Sequence, residues 1–180
     1  LWLEPRPDLA DFAERGVKIY REAPDTPISA LTWGMALATY PFFGKVAEIV
    51  GRLTALQGDC TSAEVHRRMA EIFGEREGTR RMTNMVLQSQ ASWGAIERHN
   101  KGMRIARRPL IELTGASAAS WLAEACVRYA GRPLSIASIG ENPIVYPFFI
   151  KGPRAYFLAQ SSHLEMRADS GGGQGVDLAP

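Results

Sequence analysis

An α+β fold, mainly helical, is what this 180-residue chain predicts, and three patterns predict it. Apolar side chains recur every three to four residues through most of the chain before Gly131, the spacing that lines one face of a helix. Around Asn100-Lys101-Gly102 the pattern changes to alternation, which marks a hairpin. After Glu141, short apolar runs punctuated by proline and glycine mark a small antiparallel sheet. A hydrophobic fraction of 46% with 22% charged residues is enough to bury a core. At this length one core with a satellite is expected.

The elements follow in order. Asp8 to about Arg21 reads as a helix on Leu9, Phe12, Ala13, Val17 and Tyr20, and Glu22 to Pro27 as a connector. A second helix runs from about Ser29, its expected cap, to Thr39, because Pro41 disfavours helix in the residue before it. The 19 positions from Thr26 to Gly44 carry no charge, yet Pro27, Ser29, Thr32, Thr39 and Pro41 make a buried helix the expectation rather than a membrane span. These two helices form a collar, residues 1–40.

From Pro41, residues Phe42, Val46, Ile49, Val50, Leu53 and Leu56 make the buried stripe of an amphipathic helix. Gly44 and Gly51 share a side and suggest close approach of another element. Gly58 and Asp59 break that helix. Thr61-Ser62-Ala63-Glu64 fits a capping box, followed by a stripe of Val65, Met69, Ile72 and Phe73 that Gly74 ends. A third helix from Thr79 places Met82, Met85, Val86, Ser89 and Trp93 on one face and Arg80, Arg81, Asn84 and Gln88 largely on another. Trp93 closes the three-helix core, and Gly94 allows the left-handed turn into the hairpin, where Met103 and Ile105 point inward. Ser117 to Tyr129 reads as a helix on Trp121, Leu122, Ala125, Cys126 and Tyr129. Strand-like runs follow at Ile144–Ile150, Ala155–Ala159 and His163–Arg167, then a flexible Ser170–Gly175 loop and an edge strand at Val176-Asp177-Leu178. Tyr40-Pro41-Phe42-Phe43-Gly44-Lys45 and Tyr146-Pro147-Phe148-Phe149-Ile150-Lys151 look alike, but their flanks do not match and they are not a repeat.

The net charge of +2 hides an uneven distribution. Residues 76–108 carry 8 Lys and Arg against 2 Asp and Glu, whereas residues 1–75 carry 8 against 11 and residues 109–180 carry 5 against 6. Clustered positive charge matters more for meeting a polyanion than overall pI does.

Helix, capped helix, longer helix ending at Trp93-Gly94, then a hairpin: over residues 41–113 this order resembles the winged helix-turn-helix superfamily of DNA-binding domains. The resemblance rests on TSAEVHRRM, GTRRMTNMVLQSQASWGAI and NKGMRI. It implies a central winged helix (41–113) between the collar (1–40) and a C-terminal helix with a small sheet and Gly-rich tail (114–180). It also implies double-stranded DNA as partner, with Arg80, Arg81, Thr83, Asn84 and Gln88 facing the major groove. Arg can pair with guanine, and Asn and Gln with adenine. Lys101 and Arg104 on the wing, and Arg107 and Arg108 at its exit, would contact phosphates. Gly74 to Gly78 makes the connection before the third helix longer than a tight helix-turn-helix turn. The alternative is a winged helix that binds protein, with the N- and C-terminal flanks as docking surfaces.

Other candidates are weaker. His66 reads as a solvated histidine, and Cys60 with His66 as an incidental pair rather than a metal site. Cys126 reads as core. Ser161-Ser162-His163 lacks a nucleophile-elbow context, and the glycines before Gly175 lack the Lys-Ser/Thr of a phosphate-binding loop. The sequence therefore predicts no catalytic residue, no metal and no cofactor. Two cysteines 66 positions apart, with no secretory signal in view, suggest a reducing, cytoplasmic setting.

Overall fold

The computed structural model describes residues 2–168 and 173–180. In chain order its elements are α1 (Ala10–Glu22), α2 (Ile28–Thr39), α3 (Pro41–Gln57), β1 (Asp59–Thr61), α4 (Ser62–Phe73), α5 (Glu77–Ser92), β2 (Ile96–His99), β3 (Arg104–Arg107), β4 (Ile111–Leu113), α6 (Ala116–Ala130), β5 (Leu134–Ser135), α7 (Ile136–Ile139), β6 (Phe148–Ile150), α8 (Arg154–Ala159), β7 (Leu164–Ala168) and β8 (Gln174–Leu178). The fold is mixed α+β and mainly helical. The chain forms two compact units. Leu1–Pro41, Ile111–Glu141 and Phe148–Pro180 make the first, so the collar and the C-terminal region belong together rather than flanking a centre. Phe42–Leu110 and Asn142–Pro147 make the second.

In the first unit α2 is apolar around its circumference and packs chiefly on α6. Gly34 permits the contact, since a Cβ there would stand 2.4 Å from Cζ3 of Trp121. Trp121 stacks on Phe12 at 4.2 Å, and its Nε1 donates to the Phe12 carbonyl at 2.9 Å. Glu124 is 1% exposed, and a carboxylate buried that deeply must be paired. Arg15 and Arg128 each reach it at 2.8 Å, with both guanidiniums over the Phe12 ring. No helix among the described residues is long and apolar enough to cross a membrane.

Several boundaries depart from the sequence reading. Ser29 lies inside α2, which starts after Pro27. The expected single antiparallel sheet is two: β4 and β6 pair in parallel, while β5, β8 and β7 form an antiparallel sheet. β8, expected at an edge, is the central strand because β5 and β7 flank it on both sides. The Ala155–Ala159 run is helical as part of α8; with one buried residue, Leu158, so short a segment shows no periodicity to read. Ser170, Gly171 and Gly172 of the expected flexible loop lie outside the described residues.

The second unit grows from α3, whose Val46, Ile49, Val50 and Leu53 are buried; Leu56 is 83% exposed at the helix end. β1, too short to show alternation, pairs antiparallel with β3, and β3 with β2, giving the order β1-β3-β2. Ile105 at the centre faces Cys60 on one side and Arg98 on the other and is fully buried. Thr61 ends β1 and caps α4: Glu64 N–H donates to its hydroxyl at 3.1 Å, and its own N–H donates to Glu64 Oε2 at 2.8 Å. Val65 and Met69 carry the core face of α4, while Ile72 and Phe73 are 52% and 39% exposed, with Phe73 resting on Phe42. Gly74 and Gly94 both take positive φ, 85° and 76°, as helix ends of this kind require. Trp93 lies against Phe43 at 5.5 Å and is half-buried.

Asn142–Pro147 completes this unit. The Pro143 carbonyl would stand 2.2 Å from a Cβ on Gly51, so Gly51 is the residue that admits it. Tyr146, buried, donates its hydroxyl to Gln90 Oε1 at 2.9 Å. Gly51→Ala should destabilise the protein by about 1–3 kcal/mol in chemical denaturation, the cost of overpacking against backbone; an unchanged midpoint would show that this segment can move aside.

The capping box also sets a pH dependence. Hydrogen bonds from the Thr61 N–H, then from its hydroxyl, hold Glu64 below its ordinary value of 4.5. A lowered folded value means that the stabilisation is complete above 4.5 and is lost as pH falls through the folded value. The melting-temperature gap between wild type and Glu64→Ala should be constant near neutrality and narrow below pH 4.5. A gap that persists in acid would show that the carboxylate does not act through its charge.

Candidate nucleic-acid interface

The inward direction of α5 runs through Thr83, Leu87 and Gln90, each 0% exposed. That is an i, i+4, i+7 line, and it rotates the helix by about one residue, roughly 100°, from the expected phase. Met82 and Met85, expected inside, are 48% and 61% exposed. Two polar oxygens are met in the core. The Thr83 hydroxyl donates to the Thr79 carbonyl at 2.8 Å, and Gln90 Oε1 accepts from the Tyr146 hydroxyl, while the buried Gln90 Nε2 finds no partner among the described residues. Thr83 is therefore a core residue and leaves the groove-facing set.

On the opposite side of α5 stand Arg81, Met85 and Gln88, again at i, i+4 and i+7, with Arg80 and Asn84 also exposed. Asn84 Oδ1 is hydrogen-bonded to His66 Nε2 at 3.1 Å, so His66 bridges α4 and α5 rather than standing solvated. Gln88 Oε1 accepts from Arg98 Nη1 at 3.2 Å. Both amide oxygens are thus engaged, and the NH2 groups are what remains for a ligand. Paired readout of adenine uses the oxygen as well as the NH2, so this pairing is less available than the residue types imply.

The connection between α4 and α5 is Gly74-Glu75-Arg76, three residues, because Gly78 lies inside α5. The longer Gly74–Gly78 turn is not formed. Gly78 does not need to be glycine for packing or backbone reasons: a Cβ there meets nothing within 4 Å. Its face is open.

The hairpin turn lies beside this helix. Asn100, Lys101 and Gly102 take φ of 50°, 56° and 86°, three consecutive left-handed residues. Arg98 lies so close beneath Gly102 that a Cβ there would stand 2.6 Å from its Nη2, and its bond to Gln88 ties the turn to α5. Met103, expected inward, is 63% exposed, because its carbonyl rather than its side chain is fixed, accepting from Ser62 N–H at 2.9 Å. An open cleft between α4, α5 and this turn is lined by Ser62, His66, Arg76, Arg80, Arg98 and Lys101, with Glu71, Glu75 and Glu77 also in its wall.

Compared with protein-family models, with curated proteins and with solved structures, the chain finds no match.

The basic residues of the hairpin and its exit divide. Lys101 is exposed and makes no ion pair among the described residues. Arg104 is exposed but donates from Nε to Asp59 Oδ2 at 2.7 Å. Arg108 is half exposed, 3.9 Å from Glu97. Arg107, expected at the exit of the hairpin toward phosphate, is turned inward: its Nε donates to the Thr54 hydroxyl at 2.7 Å, its Nη2 to the Gly51 carbonyl at 2.6 Å, and its guanidinium lies over the Tyr146 ring. Burial lowers its pKa from the ordinary guanidinium value. The sequence reading passed over Arg76, which holds the N-cap position of α5 without a side-chain cap and, like Arg80, Arg81 and Lys101, makes no ion pair among the described residues. Charge density alone could have found it. Cys60 and Cys126 are buried with thiols pushed up to about 12, which keeps both protonated. Among the described residues no group of three or more His, Cys, Asp and Glu is placed to hold a metal ion.

The rotated phase is measurable. Thr83→Ala should cost about 1 kcal/mol or more by loss of a buried contact and hydrogen bond. Gln88→Ala should stay within about 0.5 kcal/mol, as exposed substitutions do. Equal losses in urea titration would return Thr83 to the surface.

Proposed function

We propose that residues 42–110 act as a winged helix-turn-helix module that binds double-stranded DNA without chemistry, α5 entering the major groove and the 100–102 turn lying on the backbone. The observation that carries this reading is the clustering of exposed cations, Arg76, Arg80, Arg81 and Lys101, on α5 and the adjoining turn, none of which makes an ion pair among the described residues. The three-residue turn between α4 and α5 and the β1-β3-β2 sheet beside them support the same reading, since that order carries a helix and a wing on one side. A cytoplasmic regulator, or the DNA-engaging subunit of an assembly, is the role this suggests.

A second reading, a protein-binding module, is favoured by the exposure of Ile72 and Phe73 on α4. Salt separates the two. Binding of a fluorescent 25-base-pair duplex should weaken steeply with salt, and Lys101→Ala should flatten the slope of log K against log salt by about 0.9, the release of one counterion. Arg107→Met should lower the melting temperature and leave the slope unchanged. Binding absent at low salt, or insensitive to salt, would remove DNA and leave the protein partner.

Gly78 gives an independent check. Gly78→Ala should stabilise the free protein by about 0.5–1 kcal/mol, the helix preference for alanine, and weaken duplex binding by filling the space where the DNA approaches α5. A variant that gains stability and binds equally well would show that the glycine is not kept for a ligand.

A further inference from the structure

Around Met85 the outward face of α5 carries mostly hydrogen-bond donors, with the carboxylate of Glu77 one turn before Arg81 and the second exposed methionine, Met82, off to the side. Arg81 and Gln88 bracket Met85 on the i, i+4, i+7 stripe opposite the buried Thr83–Leu87–Gln90 line, and Met85 is 61% exposed. Arg81 offers only donors, and the amides of Asn84 and Gln88 have their oxygens engaged by His66 and Arg98, leaving NH2. The Met85 carbonyl accepts from the Ser89 hydroxyl at 3.0 Å, while its side chain makes no hydrogen bond among the described residues. An unbranched thioether is a soft, adaptable surface that matches a small apolar group.

In the major groove the chemistry that complements donors around an apolar centre is an acceptor-rich edge carrying a methyl. Thymine presents O4 and its C5 methyl, and guanine presents O6 and N7. Adenine and cytosine present an exocyclic amine to this face, which donors cannot satisfy. We infer that Met85 is a specificity residue that reads the C5 methyl of a thymine, with Arg81 and the Gln88 amide directed to the acceptors beside it. The inference rests on the DNA-binding reading and adds to it the identity of the feature read.

Duplexes that differ in that methyl alone test it. Alternating 20-base-pair dA-dT and dA-dU duplexes have the same charge and pairing pattern, as do alternating duplexes of dG with dC and of dG with 5-methyl-dC, whose methyl occupies the same place in the groove. Wild type should bind the methylated member of a pair about fourfold more tightly, the effect of burying one methyl. Met85→Ala should fold normally and bind both members alike. Met82→Ala, also exposed but off the stripe, should keep the ratio. Salt-sensitive binding with a ratio near one in both pairs would overturn the inference and leave DNA binding standing, as would a ratio that survives in Met85→Ala. No binding to any of the four duplexes would sink the DNA reading and this inference with it.

Discussion

The second unit depends on a half-buried guanidinium that has no carboxylate partner among the described residues. Arg107 sits at the end of β3, and its charge is met by the Gly51 carbonyl, the Thr54 hydroxyl and the face of Tyr146. Removing a charge from water is costly unless every donor finds a partner, and the groups that answer Arg107 come from α3 and from the 142–147 segment. One side chain therefore references the hairpin to α3 and to a stretch of chain that arrives from far along the sequence. The same segment supplies Tyr146 to Gln90 at the end of α5. Hairpin and α5 are positioned by one polar node, and the surface they share is only as well ordered as that node.

The first unit solves a similar problem with opposite charge. Glu124 is held between Arg15 and Arg128, and both cations lie over Phe12, which itself stacks on Trp121. A buried triad of this kind is weak evidence of net stability, since well-packed apolar residues often do as well. What it does is fix geometry, because the carboxylate is satisfied only when α1 and α6 meet in one register.

Polar atoms that satisfy themselves inside the protein also decide what α5 shows outside. Threonine in a helix can return its hydroxyl to the carbonyl one turn back, and Thr83 does so, which lets a polar residue occupy the core. With Thr83 and Gln90 inward, Met82 and Met85 are turned out. The candidate interface thereby gains an apolar element that a reading by residue type assigns to the interior. It loses Thr83 and Arg107, which the polar node and the core absorb.

Much of the local structure was legible because its causes are local. The Thr61–Glu64 capping box, the left-handed Gly74 and Gly94, the hairpin around Lys101, and the exposure of Arg80, Arg81, Asn84 and Gln88 follow from spacing and residue type, as did the prediction that Gly51 admits another element. The identity of that element, the phase of α5, the central place of β8 and the fate of Arg107 required the tertiary structure. The two similar hexapeptides state the reason most clearly. Tyr40 to Lys45 runs into a helix with Tyr40 half exposed, whereas Tyr146 to Lys151 leads into a strand with Tyr146 buried. Nearly the same side chains adopt different structures because apolar patterning fixes how much must be buried, while the partners of each polar group, contributed from distant positions, decide which face and which backbone do the burying.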